Sequence, residues 1–140
     1  MFHELYEESI SVFERLNTNP DSDLKTIEKA YCFFMTGCCF YHLNREMLAR
    51  DYFYSAIHAD PTYRDPYIEL AKLLIRNEGY AQAEFWLKEC LKKTYRHMDW
   101  TEVNDVWTSV PYDLLSVACF NLGHKKEALM YCARAIALGP

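Results

Sequence analysis

The sequence repeats with a spacing of 34 residues, and few folds accommodate such a spacing. Gly37 precedes Ala71 by 34 residues, and Ala49 precedes Ala83 by the same number. Large apolar residues recur beside these small ones in the same register. A period of this length is typical of a solenoid, in which each unit buries its apolar face only against its neighbours.

A third copy follows at a longer spacing. Ala83 and Ala128 are 45 residues apart, so about 11 extra residues separate the second and third copies, within the stretch TYRHMDWTEVNDVWT. Each copy reads as two helices joined by a short turn, HLNRE, RNEGY or NLGHK. Small residues recur where two helices would cross closely, as packed helix pairs require.

Seven residues of the first copy carry a family resemblance: Phe33, Thr36, Gly37 and Phe40, then Ala49, Phe53 and Pro61. This pattern resembles the tetratricopeptide repeat (TPR). The later copies depart from it, with Tyr95 in place of the final proline and with Ser116 and Cys132 in the third copy. The resemblance implies an all-α fold, a right-handed α-solenoid of antiparallel helix pairs.

We therefore expect one helical repeat domain over residues 1–140. Its predicted parts are a partial repeat or capping helix at 2–20, repeat one at 22–61, repeat two at 64–95, an insertion at 96–108 and repeat three at 109–140.

A second resemblance lies in PTYRDPYIELAKLL and EVNDVWTSVPYDLLSVACFNLG, chiefly at Arg64, Asp65-Pro66-Tyr67, Glu69-Leu70-Ala71, Glu102, Trp107 and Pro111–Leu115. These residues resemble the helical region C-terminal to the catalytic domain of some bacterial family 2 glycosyltransferases. The sequence contains no nucleotide-binding strand–loop–helix. The resemblance thus implies an accessory region that assists acceptor binding or assembly, as an alternative to a general interaction module.

Candidate catalytic and metal-binding residues are few. The six cysteines lie in apolar, helix-like runs without a CxxC pair, which favours buried reduced thiols and a cytoplasmic location over disulfides or a metal site. No cysteine has an obvious activating partner, and no GxSxG motif surrounds a serine. We expect no catalysis, no metal and no cofactor in this chain.

Charge and hydropathy narrow the classes of partner. The formal charge of −5, with acids and bases interleaved, argues against a nucleic-acid surface, which needs a basic patch. No apolar run approaches the roughly 18 residues of a membrane span. We expect a protein-binding scaffold that contacts a peptide, a partner domain, or a catalytic domain of the same polypeptide.

The TPR resemblance implies a concave groove lined by the first helix of each repeat. The predicted groove residues are Tyr31, Phe34, Tyr41, Ile68, Lys72, Arg76, Asp113, Phe120 and Asn121. Lys72 and Arg76 are four residues apart and so share a helix face. They either bind a carboxylate or phosphate of an extended partner or are ordinary solvated charges.

Two further surfaces are open to interpretation. Tyr95, Trp100 and Trp107 make the insertion rich in aromatic residues, so it either contacts a partner or packs back onto the solenoid. The last helix, EALMYCARAIALGP, is apolar for an outer cap. A homodimer through exposed end helices is therefore a third hypothesis.

Overall fold

The chain is described by a computed structural model over residues 2–19, 24–96 and 104–139. The described residues contain seven α-helices and no strand, which confirms the all-α expectation. The helices are α1 (Phe2–Thr18), α2 (Thr26–His42), α3 (Glu46–Ala59), α4 (Asp65–Arg76), α5 (Tyr80–Leu91), α6 (Val110–Asn121) and α7 (Lys125–Leu138). A short 3-10 helix at Asn104–Trp107 precedes α6.

The helices pack in sequence order, each against the one before it and the one after it. The pairs α2–α3, α4–α5 and α6–α7 form three successive hairpins, and α1 packs on α2 where the second helix of a preceding hairpin would lie. Helix α4 also contacts α6. The fold is therefore an all-α helical repeat, with an apolar core that continues from one hairpin to the next.

Small residues allow the helices of each hairpin to approach closely. Ala49, Ala83 and Ala128 are buried at equivalent positions of α3, α5 and α7. At Gly37 the approach is closest, because an added Cβ would lie 2.7 Å from a ring carbon of Phe53 and 3.1 Å from the carbonyl oxygen of Ala49. The glycine is therefore required by packing against α3.

The three hairpin turns share one backbone conformation. Asn44, Glu78 and Gly123 have φ values of 61°, 63° and 82°, in the left-handed region that ends many helices. In each turn the next residue donates a backbone hydrogen bond to the carbonyl five residues earlier. These bonds run from Arg45 to Phe40 (2.9 Å), from Gly79 to Leu74 (2.7 Å) and from His124 to Cys119 (2.9 Å). The turns are thus equivalent, although only one of them uses glycine at the left-handed position.

A buried carboxylate at the end of repeat one joins the two helices of that repeat and contacts the link that follows them. Asp60 accepts hydrogen bonds from the hydroxyl groups of Thr26 (3.0 Å) and Thr62 (2.6 Å). The start of α2 is thereby joined to the end of α3. Pro66 in the first turn of α4 and Pro111 in the first turn of α6 occupy positions where a missing N–H costs no helical hydrogen bond.

No helix in the described ranges combines the length and the apolar character needed to cross a membrane.

Candidate functional site

A groove of about 380 Å³ lies between the first helices of repeats one and two. It is lined by Cys38, Tyr41 and His42 of α2, by Phe53 of α3, and by Glu69, Lys72, Leu73 and Arg76 of α4. Its aromatic side comes from α2 and its charged side from α4. We call this feature the α2–α4 groove.

Both cations of the α2–α4 groove have acidic neighbours. Lys72 Nζ lies 3.1 Å from Glu69 Oε1, and Arg76 Nη1 lies 3.2 Å from Glu46 Oε1. Arg76 Nη1 also donates a hydrogen bond to the Tyr41 hydroxyl at 3.0 Å. The side chain of Lys72 is 50% exposed and that of Arg76 is 59% exposed. A partner carboxylate would therefore compete with Glu69 and Glu46 for these two side chains.

Neither Glu69 nor Glu46 was among the predicted groove residues. Glu69 stands three residues before Lys72, a spacing that brings side chains together on one helix, so this pair was readable in advance. Glu46 begins α3, and only the packing of α3 on α4 brings it to Arg76.

Two predicted groove residues lie in the core. The Phe34 ring packs against the rings of Phe53 and Tyr63 at centroid distances of 5.8 and 5.7 Å, and Ile68 is buried beside it in α4. Both side chains line a smaller pocket of about 110 Å³ that adjoins Lys72. Tyr31 is half-buried, and burial raises the pKa of its hydroxyl. Phe34 and Ile68 therefore line this smaller pocket and are not part of the α2–α4 groove.

Two of the three predicted residues of repeat three line a different groove. Asp113, Phe120 and Asn121 are exposed on α6. Phe120 and Asn121 line a depression of about 440 Å³ between α6 and α7, together with Ser116, Val117, Lys125, Ala128, Leu129 and Cys132. We call it the α6–α7 groove. The structure thus places two of the nine predicted residues in the core, three in the α2–α4 groove and two in the α6–α7 groove, while Tyr31 and Asp113 line neither groove.

The aromatic insertion has a structural role at Trp107. The guanidinium of buried Arg64 stacks over the Trp107 ring at 3.9 Å from its centroid. The same guanidinium donates hydrogen bonds to the carbonyl oxygens of Lys93 and Val106, each at 2.9 Å. Trp107 therefore packs onto the solenoid, as one of the two interpretations expected. Tyr95 is exposed, and Trp100 lies outside the described residues.

The cysteines are free thiols in the structure. Four are buried, Cys38 is half-buried and Cys132 is exposed. Burial raises the pKa of Cys38, Cys90 and Cys119 to about 12, so these thiols are protonated at neutral pH and are weak nucleophiles.

One cluster of titratable groups was not expected from the sequence. The ligand atoms of Glu84, Cys119 and Glu127 lie within 4.8 Å of one another, a set that could coordinate a cation. Lys88 Nζ already lies 3.4 Å from Glu127 and 3.8 Å from Glu84, and Cys119 Sγ donates to Glu84 at 3.2 Å. His124 Nδ1 is 3.4 Å from the same Glu84 carboxylate.

These contacts determine the protonation of the cluster. Burial by itself would raise the pKa of Glu84, but the Cys119 hydrogen bond and the Lys88 and His124 contacts outweigh it and lower that pKa. The Lys88 ammonium supplies the positive charge that a metal would otherwise supply. The cluster is therefore an ion-pair network that joins α5, α6 and α7.

Comparison with known proteins supports the repeat fold. No family model matches the sequence, and no curated protein is significantly similar to it. Among solved structures, the chain is similar to one described as the crystal structure of MamA protein, a TPR-containing protein, with a TM-score of 0.70 and 16% sequence identity. The match covers 95% of this chain and 63% of that chain.

At this level of identity the likeness to MamA shows the fold alone. It confirms the TPR-like part of the expectation and gives no support to the glycosyltransferase part. The residues of that second resemblance include Arg64 and Trp107, whose contact with each other gives them a packing role.

Proposed function

We propose that this chain is a non-catalytic interaction module that binds a peptide or a partner domain in the α2–α4 groove. The observation that carries the proposal is the groove itself, a volume of about 380 Å³ with an aromatic side from α2 and two accessible cations from α4. A TPR-like fold typically serves as a scaffold for protein contacts, which supports the same conclusion at a general level.

The chemistry of the groove favours a partner that is both apolar and acidic. The ring of Tyr41 and the side chain of Leu73 offer apolar contact. Arg76 can turn from Glu46 to a partner carboxylate, and its planar guanidinium suits a bidentate pair. Because Glu46 already pairs with Arg76, we expect the carboxylate to contribute more to selectivity than to affinity.

A selection from a peptide library tests this proposal. Peptides displayed on phage are selected on the full chain, and the best of them are titrated calorimetrically against the wild type and three variants. Arg76→Ala and Lys72→Ala each remove one groove cation, while Lys126→Ala removes an exposed cation on α7. We expect selected peptides to combine apolar and acidic residues and to lose about tenfold in affinity with Arg76→Ala, equivalent to ~1.4 kcal/mol.

Two results would refute the groove assignment. In the first, the library yields no peptide that binds above background. In the second, selected peptides bind Arg76→Ala, Lys72→Ala and Lys126→Ala with the affinity of the wild type, which would place their site elsewhere.

The six free cysteines also favour a reducing compartment, so we propose a cytoplasmic location for this module. An accessory role beside a glycosyltransferase domain remains the alternative use of the same scaffold. The size of the native protein, measured by blotting with an antibody to this domain, separates a free-standing module from a region of a larger polypeptide.

A further inference from the structure

Exposed apolar side chains concentrate at the two ends of the described solenoid. Three of the large ones lie on α1, namely Leu5, Val12 and Leu16. Six lie on α6 and α7, namely Val117, Phe120, Leu129, Met130, Ile136 and Leu138. Val117, Phe120 and Leu129 of this set line one depression, and grouped apolar surface marks interaction sites more often than isolated exposed residues do.

At the C-terminal end, part of the exposed surface, at Cys132 and Ile136 of α7, occupies positions that are buried in repeat one. Phe53 of repeat one and Leu87 of repeat two are buried at the position that Cys132 holds in repeat three, where the side chain is exposed. The difference arises because α4 covers α3 and α6 covers α5. A helix is thus the kind of element that fits against the α6–α7 groove.

The walls of the α6–α7 groove carry exposed apolar side chains, which suits contact with such a helix. Phe120 is 65% exposed on one wall and Leu129 is 71% exposed on the other, with Ala128 at the base. Along α7, Leu129, Cys132 and Ile136 have the spacing of a single helix face.

At the N-terminal end, α1 presents a narrow apolar stripe. Leu5, Val12 and Leu16 are separated by seven and four residues, which puts them on one side of the helix. The stripe is separate from the side of α1 that packs on α2. On that side Ile10 is buried and Tyr6 stacks on His42 at a centroid distance of 5.0 Å.

The two ends carry complementary charges. The first half of α1 contains Glu4, Glu7 and Glu8. The first turn of α7 contains Lys125, which lines the α6–α7 groove, and Lys126, while the Glu127 carboxylate of the same turn lies 3.4 Å from Lys88 Nζ. Opposite charges on two apolar surfaces guide encounter and disfavour pairing of either surface with itself.

We propose that copies of this chain associate head to tail, with the Leu5–Val12–Leu16 stripe of one copy lying in the α6–α7 groove of the next. The acidic half of α1 then faces the lysines of α7. Because the two surfaces are different, the contact is heterologous, and each added copy presents a new groove or a new stripe. The association uses neither Tyr41 nor Arg76, so it is independent of the peptide site proposed above.

Sedimentation velocity of the full chain over a wide range of concentration tests the proposal. We expect the wild type to form species larger than a dimer as concentration rises. Val12→Asp disrupts only the stripe and Phe120→Asp disrupts only the groove, so each variant alone is expected to be monomeric. An equimolar mixture of the two retains one intact stripe and one intact groove, and it is expected to form a complex with one copy of each.

Controls separate association from folding. Phe85→Asp changes an exposed aromatic on α5, away from both surfaces, and is expected to associate as the wild type does. Far-ultraviolet circular dichroism checks that each variant is helical, and Leu16→Asp and Leu129→Asp replace any variant that fails this check. Raised salt is expected to weaken the association because screening acts on exposed charges.

Four outcomes would overturn the proposal. A wild-type chain that stays monomeric at every concentration excludes self-association, and the apolar ends then serve a different partner. Association that survives Val12→Asp indicates pairing of two grooves, and association that survives Phe120→Asp indicates pairing of two stripes. Two monomeric variants that form no mixed complex show that the stripe and the groove do not bind each other.

Discussion

Repeats one and three contain the same residue at the same position in opposite environments. Ile57 in α3 is 8% exposed, whereas Ile136 in α7 is 75% exposed. The two hairpins share the turn conformation and the buried alanine at the helix crossing. They differ because α4 covers the outer side of α3, while no described helix follows α7.

This contrast shows that burial in the solenoid is a property of the contact between repeats. The pattern within one repeat fixes which side chains face the next unit, and the presence of that unit decides whether they are buried. The effect of a substitution on the free energy of unfolding should therefore depend on which repeat it lies in. In a repeat protein that free energy is the sum of the stability of each repeat and of the interfaces between neighbouring repeats.

The largest expected effect is at the position shared by Phe53 and Cys132. Phe53→Ala removes a buried ring between α2, α3 and α4, and we expect it to lower the free energy of unfolding by ~3–5 kcal/mol. Cys132→Ala changes an exposed side chain, and its effect should stay within about 0.5 kcal/mol. Urea unfolding followed by circular dichroism measures both. Equal losses for the two variants would contradict the contrast between inner and outer repeats.

The next largest effect is at the close helix crossing. Gly37→Ala introduces a Cβ that would lie 2.7 Å from Phe53 and 3.1 Å from the backbone of Ala49. The substitution gains about 1 kcal/mol in helix propensity, but we expect a net loss of ~1–3 kcal/mol because the backbone of α3 cannot move aside. The equivalent change in repeat three, Ser116→Ala, should be nearly neutral. A stabilised Gly37→Ala variant would show that α3 can shift.

The repeat register could be predicted because its determinants are local in the sequence. Gly37, Ala71 and Ala128 mark the helix crossings by their size, and size is visible without a structure. The hairpins could be located from the short polar turn sequences HLNRE, RNEGY and NLGHK, each of which separates two apolar stretches. The fold class was therefore predictable from the repeat.

The contacts of the candidate site could be predicted only in part, because their partners come from different helices. Arg76 meets Glu46 across the α3–α4 interface, and Arg64 meets Trp107 across an insertion with no repeat counterpart. Neither pair has a sequence spacing that distinguishes it from the many other pairs of oppositely charged residues, or of a cation and an aromatic residue, in the chain. Phe34 shows the reverse case, since the family pattern implied a groove position and its ring is largely buried against the rings of Phe53 and Tyr63.

A smaller effect is expected in the hairpin turns. Glu78 adopts a left-handed conformation that disfavours residues with a Cβ, so Glu78→Gly should stabilise the chain by about 1 kcal/mol. The reverse change in repeat three, Gly123→Ala, should destabilise it by a similar amount. Thermal unfolding of both variants checks the equivalence of the turns. A destabilised Glu78→Gly variant would mean that the Glu78 side chain stabilises the turn by more than its conformation costs.

The smallest effect concerns Glu84, which occupies the position of Arg50 in repeat one and Leu129 in repeat three. Its pKa is lowered in the folded chain, so the unfolded chain binds more protons in acid. The stabilisation is therefore present at pH values above the ordinary carboxyl value of 4.5 and is lost as the pH falls below it. Because the ion pairs of Glu84 are partly exposed, we expect about 1 kcal/mol or less.

Two variants isolate this contribution in urea unfolding measured from neutral to acidic pH. Glu84→Gln should flatten the acid side of the stability profile, because it removes the carboxylate on which Lys88, Cys119 and His124 converge. Arg50→Gln, at the equivalent position of repeat one, removes no carboxylate, so its stability should depend on pH in acid as that of the wild type does. If both variants keep the wild-type pH dependence, the acid dependence arises from other carboxylates, and the network between α5, α6 and α7 contributes packing without a measurable charge effect.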